Sequence, residues 1–175
     1  MSVAIPTLHA LLIAELEDLF DAENQLLDAL PLLAKAASNA RLRAGLTDHL
    51  EETRNHVTRL TEALKILGLP PKGKPCHAMR GLVEEGAEAV AIKGPAAVRD
   101  AALIGAAQRV EHYEIAGYGT ARAFADAIGE ARVADLLQAT LNEEGATNKT
   151  LTLISDTVNT DARSAGSEVP ALAKK

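Results

Sequence analysis

Hydrophobic residues recur along this chain in steps of three and four, over four long stretches divided by Pro- and Gly-bearing breaks. The first stretch, roughly 7–37, carries Leu12, Leu16, Leu19, Glu23, Leu26, Leu30 and Leu33 on one stripe. The second, roughly 42–67, carries Leu46, Leu50, Thr53, Val57, Leu60, Leu64 and Leu67. The third, roughly 95–128, carries Leu103, Ala107, Val110, Glu114, Gly117, Ala121, Phe124 and Ile128. The fourth, roughly 130–158, carries Leu137, Leu141, Glu144, Asn148, Leu151, Ser155 and Val158. A period near 3.6 places each set on one face of a helix. Pro31, inside the first stretch, predicts a local kink.

Between the second and third stretches, Gly68–Pro75 and Gly94-Pro95 bracket a shorter helix at about 76–92. Short turns fold the first two and the last two long helices into antiparallel hairpins. The connection 69–94 is long enough to cross the bundle, so the second and third long helices run parallel. The pattern predicts an all-α, ferritin-like four-helix bundle with a short fifth helix in that crossover. It reads as a single domain over 1–158 followed by a polar C-terminal tail, 159–175.

Composition sharpens this picture. Aromatics are only 2% of the chain while Leu and Ala abound, which favours helices over a β-sandwich. No apolar run reaches the ~18–20 residues of a membrane helix. The N-terminus lacks a basic segment followed by an apolar one, so a cytoplasmic protein is expected. Cys76 is the one cysteine, which excludes an internal disulfide framework. A formal charge of −6 disfavours nucleic acid and suits cations.

The residues that break the pattern are acids inside apolar stripes. Glu23 lies between Leu19 and Leu26, Glu114 between Val110 and Gly117, and Glu144 beyond Leu137 and Leu141. Isolated buried carboxylates are costly, and the stripes contain no Lys or Arg to pair with them. A shared cation would neutralise several at once. Glu52 and His56, four apart, flank the second stripe on one side, and Glu111 precedes Glu114 by three. Measured from their hairpin turns, all six residues fall near mid-height of one bundle. The inventory of hard oxygen ligands with an imidazole suits iron, with manganese as the alternative, at one or two ions per chain. The expected ligands are therefore Glu23, Glu52, His56, Glu111, Glu114 and Glu144. His49, His77 and His112 read as ordinary surface positions, and Cys76 as a structural or capping residue.

A shift of 91 residues superposes Leu19 on Val110, Glu23 on Glu114, Leu50 on Leu141, Glu52 on Glu143 and Leu60 on Leu151. It suggests two hairpins of common plan. On the fourth helix the shift favours Glu143 as ligand, whereas the apolar stripe favours Glu144, the residue chosen here.

The stretches Glu15–Gln25, His49-Leu50-Glu51-Glu52-Thr53, Arg109–Thr120 and Thr140-Leu141-Asn142-Glu143-Glu144 resemble the YciF-like family of the ferritin-like superfamily. Glu111-His112-Tyr113-Glu114-Ile115-Ala116-Gly117-Tyr118-Gly119 is the specific part. The resemblance implies a bundle with a short fifth helix, usually a homodimer, in a stress-associated bacterial protein without a settled activity. Ferritin-like iron sites usually carry Glu-x-x-His on the second and fourth long helices. This chain departs with Glu52-x-x-x-His56 on one. On the other it has no histidine after Glu144, and Asn148 where the family often has an acid. The function expected is a non-haem di-metal carboxylate protein reacting with peroxide or oxygen. The alternative is a structural or partner-binding stress module whose metal site is vestigial or structural.

Overall fold

The computed structural model describes residues 5–166, and these form five helices: α1 (Leu8–Ala36), α2 (Ala40–Ile66), α3 (His77–Ala91), α4 (Ala96–Ile128) and α5 (Ala131–Gly166). Local chemistry sets the ends. The Thr7 hydroxyl accepts from Ala10 N at 3.1 Å, and the Asn39 side chain accepts from Arg41 N and Leu42 N. Cys76 caps α3, its Sγ accepting from Met79 N, as its place at the head of that helix suggested. Gly129, at φ 84°, closes α4 in the left-handed conformation that spares a glycine a Cβ clash. α1 runs continuously through Pro31. α5 continues past residue 158, where the apolar stripe ended; the part of the expected tail from 167 onward lies outside the described residues.

Four helices pack in a ring in which α1 touches α2 and α4, and α5 touches α2 and α4. Asp100, at the start of α4, accepts from Ser38 N and Asn39 N at 2.8 and 2.7 Å. The α1–α2 turn and the beginning of α4 therefore share one end of the bundle, which makes α2 and α4 parallel. The crossover achieves this: it is tied to α1 by Lys74 N to Glu17 O and by Cys76 N to Asp21 Oδ2, and α3 then lies across α1 and α4. At Gly117 a Cβ would come within 2.9 Å of Leu19 Cδ2, so glycine lets α4 approach α1 closely at mid-height.

The apolar core is in two parts. One cluster gathers Leu26, Leu30, Leu46 and Leu103 toward the α1–α2 turn, and the other gathers Leu12, Leu16, Leu60 and Leu137 toward the α4–α5 turn. A layer of buried polar residues from all four long helices separates them.

Asp100 is 2% exposed and serves two backbone donors at a tight turn. Asp100→Ala should cost about 2–4 kcal/mol of unfolding free energy, the range for losing charge-assisted bonds and stranding buried donors. Urea denaturation should show a lower midpoint with an unchanged slope.

Candidate metal centre

The polar layer consists of Glu23 on α1, His49, Thr53 and His56 on α2, Glu111 and Glu114 on α4, and Glu144 on α5, each no more than 2% exposed. Their presence follows from helix phase. On α2 the buried face runs Leu42, Leu46, His49, Thr53, His56, Leu60 and Ala63, a stripe in steps of four and three. α4 likewise turns Glu111, Glu114 and Tyr118 inward.

The ligand atoms fall into two groups. His49, Glu111, Glu114 and Glu144 each offer one atom within 4.8 Å of the others; so do Glu23, His56 and Glu144. Glu144 belongs to both. His56 Nδ1 lies 3.1 Å from Glu144 Oε1 and 3.3 Å from Glu23 Oε1, and His49 Nε2 lies 3.4 Å from Glu111 Oε1 and 3.8 Å from Glu144 Oε2. These atoms are near one another yet not aligned as hydrogen bonds. Among the described residues, Glu23 Oε2, His49 Nε2, Thr53 Oγ1, His56 Nδ1, Glu111 Oε2 and both oxygens of Glu114 and of Glu144 are buried without a hydrogen-bond partner. Buried polar atoms are nearly always paired in native proteins. So dense a group of unpaired acceptors fits a cation among them, and an N/O donor set of this kind suits a first-row transition metal.

The outer contacts are equally ordered. His49 Nδ1 faces Glu52 Oε2 at 3.2 Å, and Glu52 also accepts from Thr147 Oγ1 at 3.1 Å. His56 Nε2 faces Glu143 Oε2 at 2.8 Å, and Arg59 grips both oxygens of Glu143. Each histidine thus has one nitrogen toward the centre and the other on a half-buried carboxylate, which fixes its tautomer and ring plane. Tyr118, fully buried, donates to Glu23 Oε1 at 2.5 Å.

The electrostatics express the crowding. Burial, then Glu23, Glu144 and Glu111, hold Glu114 well above the usual carboxylate range. Burial raises Glu111 to about 8, with Glu144 adding and His49 opposing. Burial lowers the histidines, but Glu52, Glu111, Glu144 and Glu23 outweigh it for His49, which titrates near 9. Glu144 and Glu23 do the same for His56, raising it to about 11. Glu52 and Glu143 move down instead, chiefly through His49 and Arg59 respectively.

Of the residues expected from sequence, Glu23, His56, Glu111, Glu114 and Glu144 come together. Glu52 stands outside them, behind His49, with its side chain 38% exposed. His49, expected at the surface, is 1% exposed and points into the centre. The signal for it was present: continuing the four–three steps from Leu42 and Leu46 reaches His49, Thr53 and His56. The expected stripe followed the more hydrophobic Leu50 and Val57 instead. The spacing of three that seemed absent is also here in altered form. Thr53 and His56 are three apart on α2, Glu144 and Thr147 three apart on α5, and the 91-residue shift superposes these pairs. Each half thus pairs one candidate ligand, His56 or Glu144, with a threonine.

Residues 7–163 match the family described as a domain of unknown function, DUF892. The chain is 44% identical to protein YciF of Escherichia coli K12 over 147 residues, 83% of this chain and 89% of that one. The crystal structure of the E. coli stress protein YciF superposes with a TM-score of 0.85 at 42% identity, covering 89% of this chain and 98% of that one. YcfI of Rhodopseudomonas palustris superposes with a TM-score of 0.83 at 43% identity, covering 87% and 97%.

A pH dependence follows from the raised groups. Glu111 holds its proton to about 8 folded against an ordinary 4.5, and His49 to about 9 against 6.5. The folded state is therefore the stronger proton binder, and stability falls as pH rises. Their contribution is whole below the unfolded values and gone above about 9. Metal-free protein should lose melting temperature steadily from pH 6.5 to 9 in a calorimetric scan. Saturating cobalt(II), whose ligands must be deprotonated, should reduce that slope or abolish it.

Proposed function

The chain belongs to the DUF892 family, and on that premise we propose that it is a non-haem, carboxylate-rich metal protein that holds one or two first-row ions at mid-bundle. Iron is the first choice and manganese the second, with peroxide or dioxygen as the co-reactant. The observation carrying this reading is the set of buried acceptor atoms on seven residues that face one another unpaired. Glu144 belongs to both candidate groups and would serve an ion in either. A redox metal there would supply the one-electron chemistry that no side chain offers.

The protein's own residues have defined tasks. Glu23 and His56 would hold one ion, while His49, Glu111 and Glu114 would hold the other. Glu143 with Arg59, and Glu52 with Thr147, keep the two imidazole planes fixed from behind. Tyr118 carries a proton against Glu23 in a site sealed from water by the two leucine-rich clusters. No helix among the described residues is long and apolar enough to cross a membrane. A homodimer, as the family resemblance implies, in the cytoplasm, as the acidic charge balance suggests, completes the reading, and sedimentation reads the dimer directly.

Glu114→Gln and Glu144→Gln test the proposal. Each puts a neutral amide of the same shape in place of a buried carboxyl, so melting of the metal-free protein should stay level or rise. Iron(II) and cobalt(II) affinity should fall at least the roughly 10–100-fold that outer partners alone are worth. Wild-type affinity in both variants would exclude the site. Elemental analysis of purified protein and peroxide consumption with and without iron then separate a redox role from a structural one. A chelator that lowers the melting temperature where no peroxide is consumed favours the structural module.

A further inference from the structure

A sealed cluster must still be loaded. On the α1–α3–α4 side the small cavity next to Glu111 is lined by Leu26, Leu30, Leu33, Val83 and Val110, with no other polar side chain to replace an ion's water. The α2–α5 seam does carry acids and hydroxyls among apolar residues such as Leu46 and Leu151, and its two windows differ. At one, Glu143 is clamped by Arg59, whose guanidinium would repel an arriving cation. At the other a cleft of about 180 Å³ opens between the helices, lined by Asp48, Glu52, Ala146, Thr147 and Thr150, with buried His49 as its floor. No Lys or Arg lines it. The His49 ring spans the wall: Nδ1 faces Glu52 on the cleft side, and the unpaired Nε2 faces Glu111 and Glu144 inside.

We propose that this cleft is the route by which divalent cations reach the cluster, with Asp48 and Glu52 as the capturing carboxylates and the His49 ring as the threshold. The inference rests on the metal-site reading above and adds to it a direction of loading. It gives Glu52 a place that its exposure and its absence from the ligand groups otherwise leave open. The carboxylates exchange part of the ion's hydration shell for oxygen ligands at the mouth. Passage beside His49 then brings it within reach of Glu111 and Glu144.

Cobalt(II) is the probe, followed at equilibrium by its visible absorption and in time by stopped flow. Ala146 is exposed at the cleft, so Ala146→Phe narrows it without touching a ligand. Association and dissociation should slow by the same factor, leaving affinity and stoichiometry unchanged. Glu52→Gln should slow association about tenfold at low salt, the scale of electrostatic steering, with less effect at high salt. Glu88→Gln, an equal charge loss on exposed α3, should leave loading unchanged. Wild-type loading rates in Ala146→Phe overturn the route. So does a Glu52→Gln protein that loads normally but releases faster, since that assigns Glu52 only to holding His49. Wild-type protein that takes up no cobalt(II) at equilibrium sinks the metal-site reading and the route with it. Cobalt(II) uptake that is insensitive to both variants sinks the route alone.

Discussion

Buried negative charge is the constraint to which this bundle is built. Glu23, Glu111, Glu114 and Glu144 meet in an interior that water does not reach, faced by two imidazoles and no lysine or arginine. Without a further cation the layer can lower its charge only by keeping protons, and the raised carboxyl and imidazole values record that. Such an arrangement costs folding free energy, because desolvating charges is expensive unless they are paired. The leucine clusters above and below sustain it, and the same clusters keep the layer dry.

The half-repeat explains the centre's asymmetry. Two hairpins of common plan would give two equivalent ligand pairs, but threonine replaces the acid on α2 and the imidazole on α5. Thr53 Oγ1 remains buried and unpaired where a carboxylate would reach. His49 and Glu111 have no ligand counterpart under the same shift, since they fall on Thr140 and Phe20. The two groups that face one another are accordingly unlike: His49, Glu111 and Glu114 with Glu144 in one, and Glu23 and His56 with Glu144 in the other. The supporting carboxylates keep the repeat better than the ligands do: Glu52 and Glu143 correspond under the shift, and each backs a histidine of α2.

Much of this was legible before any coordinates. The four stripes, the short crossover helix and the parallel α2 and α4 follow from spacing and connection length. Glu23 and Glu114 stood out because leucines, alanines and valine flank them at helical intervals. Glu144 was preferred to Glu143 for its more apolar face although the repeat favoured Glu143, and the structure buries Glu144 while Glu143 turns to Arg59. What misled was hydrophobicity used as a guide to phase. On α2 the expected and observed stripes share Leu46, Thr53 and Leu60, and they part where Leu50 and Val57, each about 100° round from His49 and His56, are only half-buried. On α4 the regular step of three from Glu114 selected Gly117, where a step of four reaches the buried Tyr118.

The sequence by itself determined the helices, their order and direction, and that acids from separate helices lie at one height. Those properties depend on local period and loop length, which neighbouring residues encode. The tertiary structure decided which way each helix is rotated about its axis. It thereby exchanged Glu52 for His49 at the centre, set Glu52 and Glu143 behind the histidines, and opened a cleft beside one while closing the other with Arg59. Rotation is settled by packing against two or more other helices at once, and a polar face is turned inward when its neighbours supply matching polar atoms. No single helix contains that information.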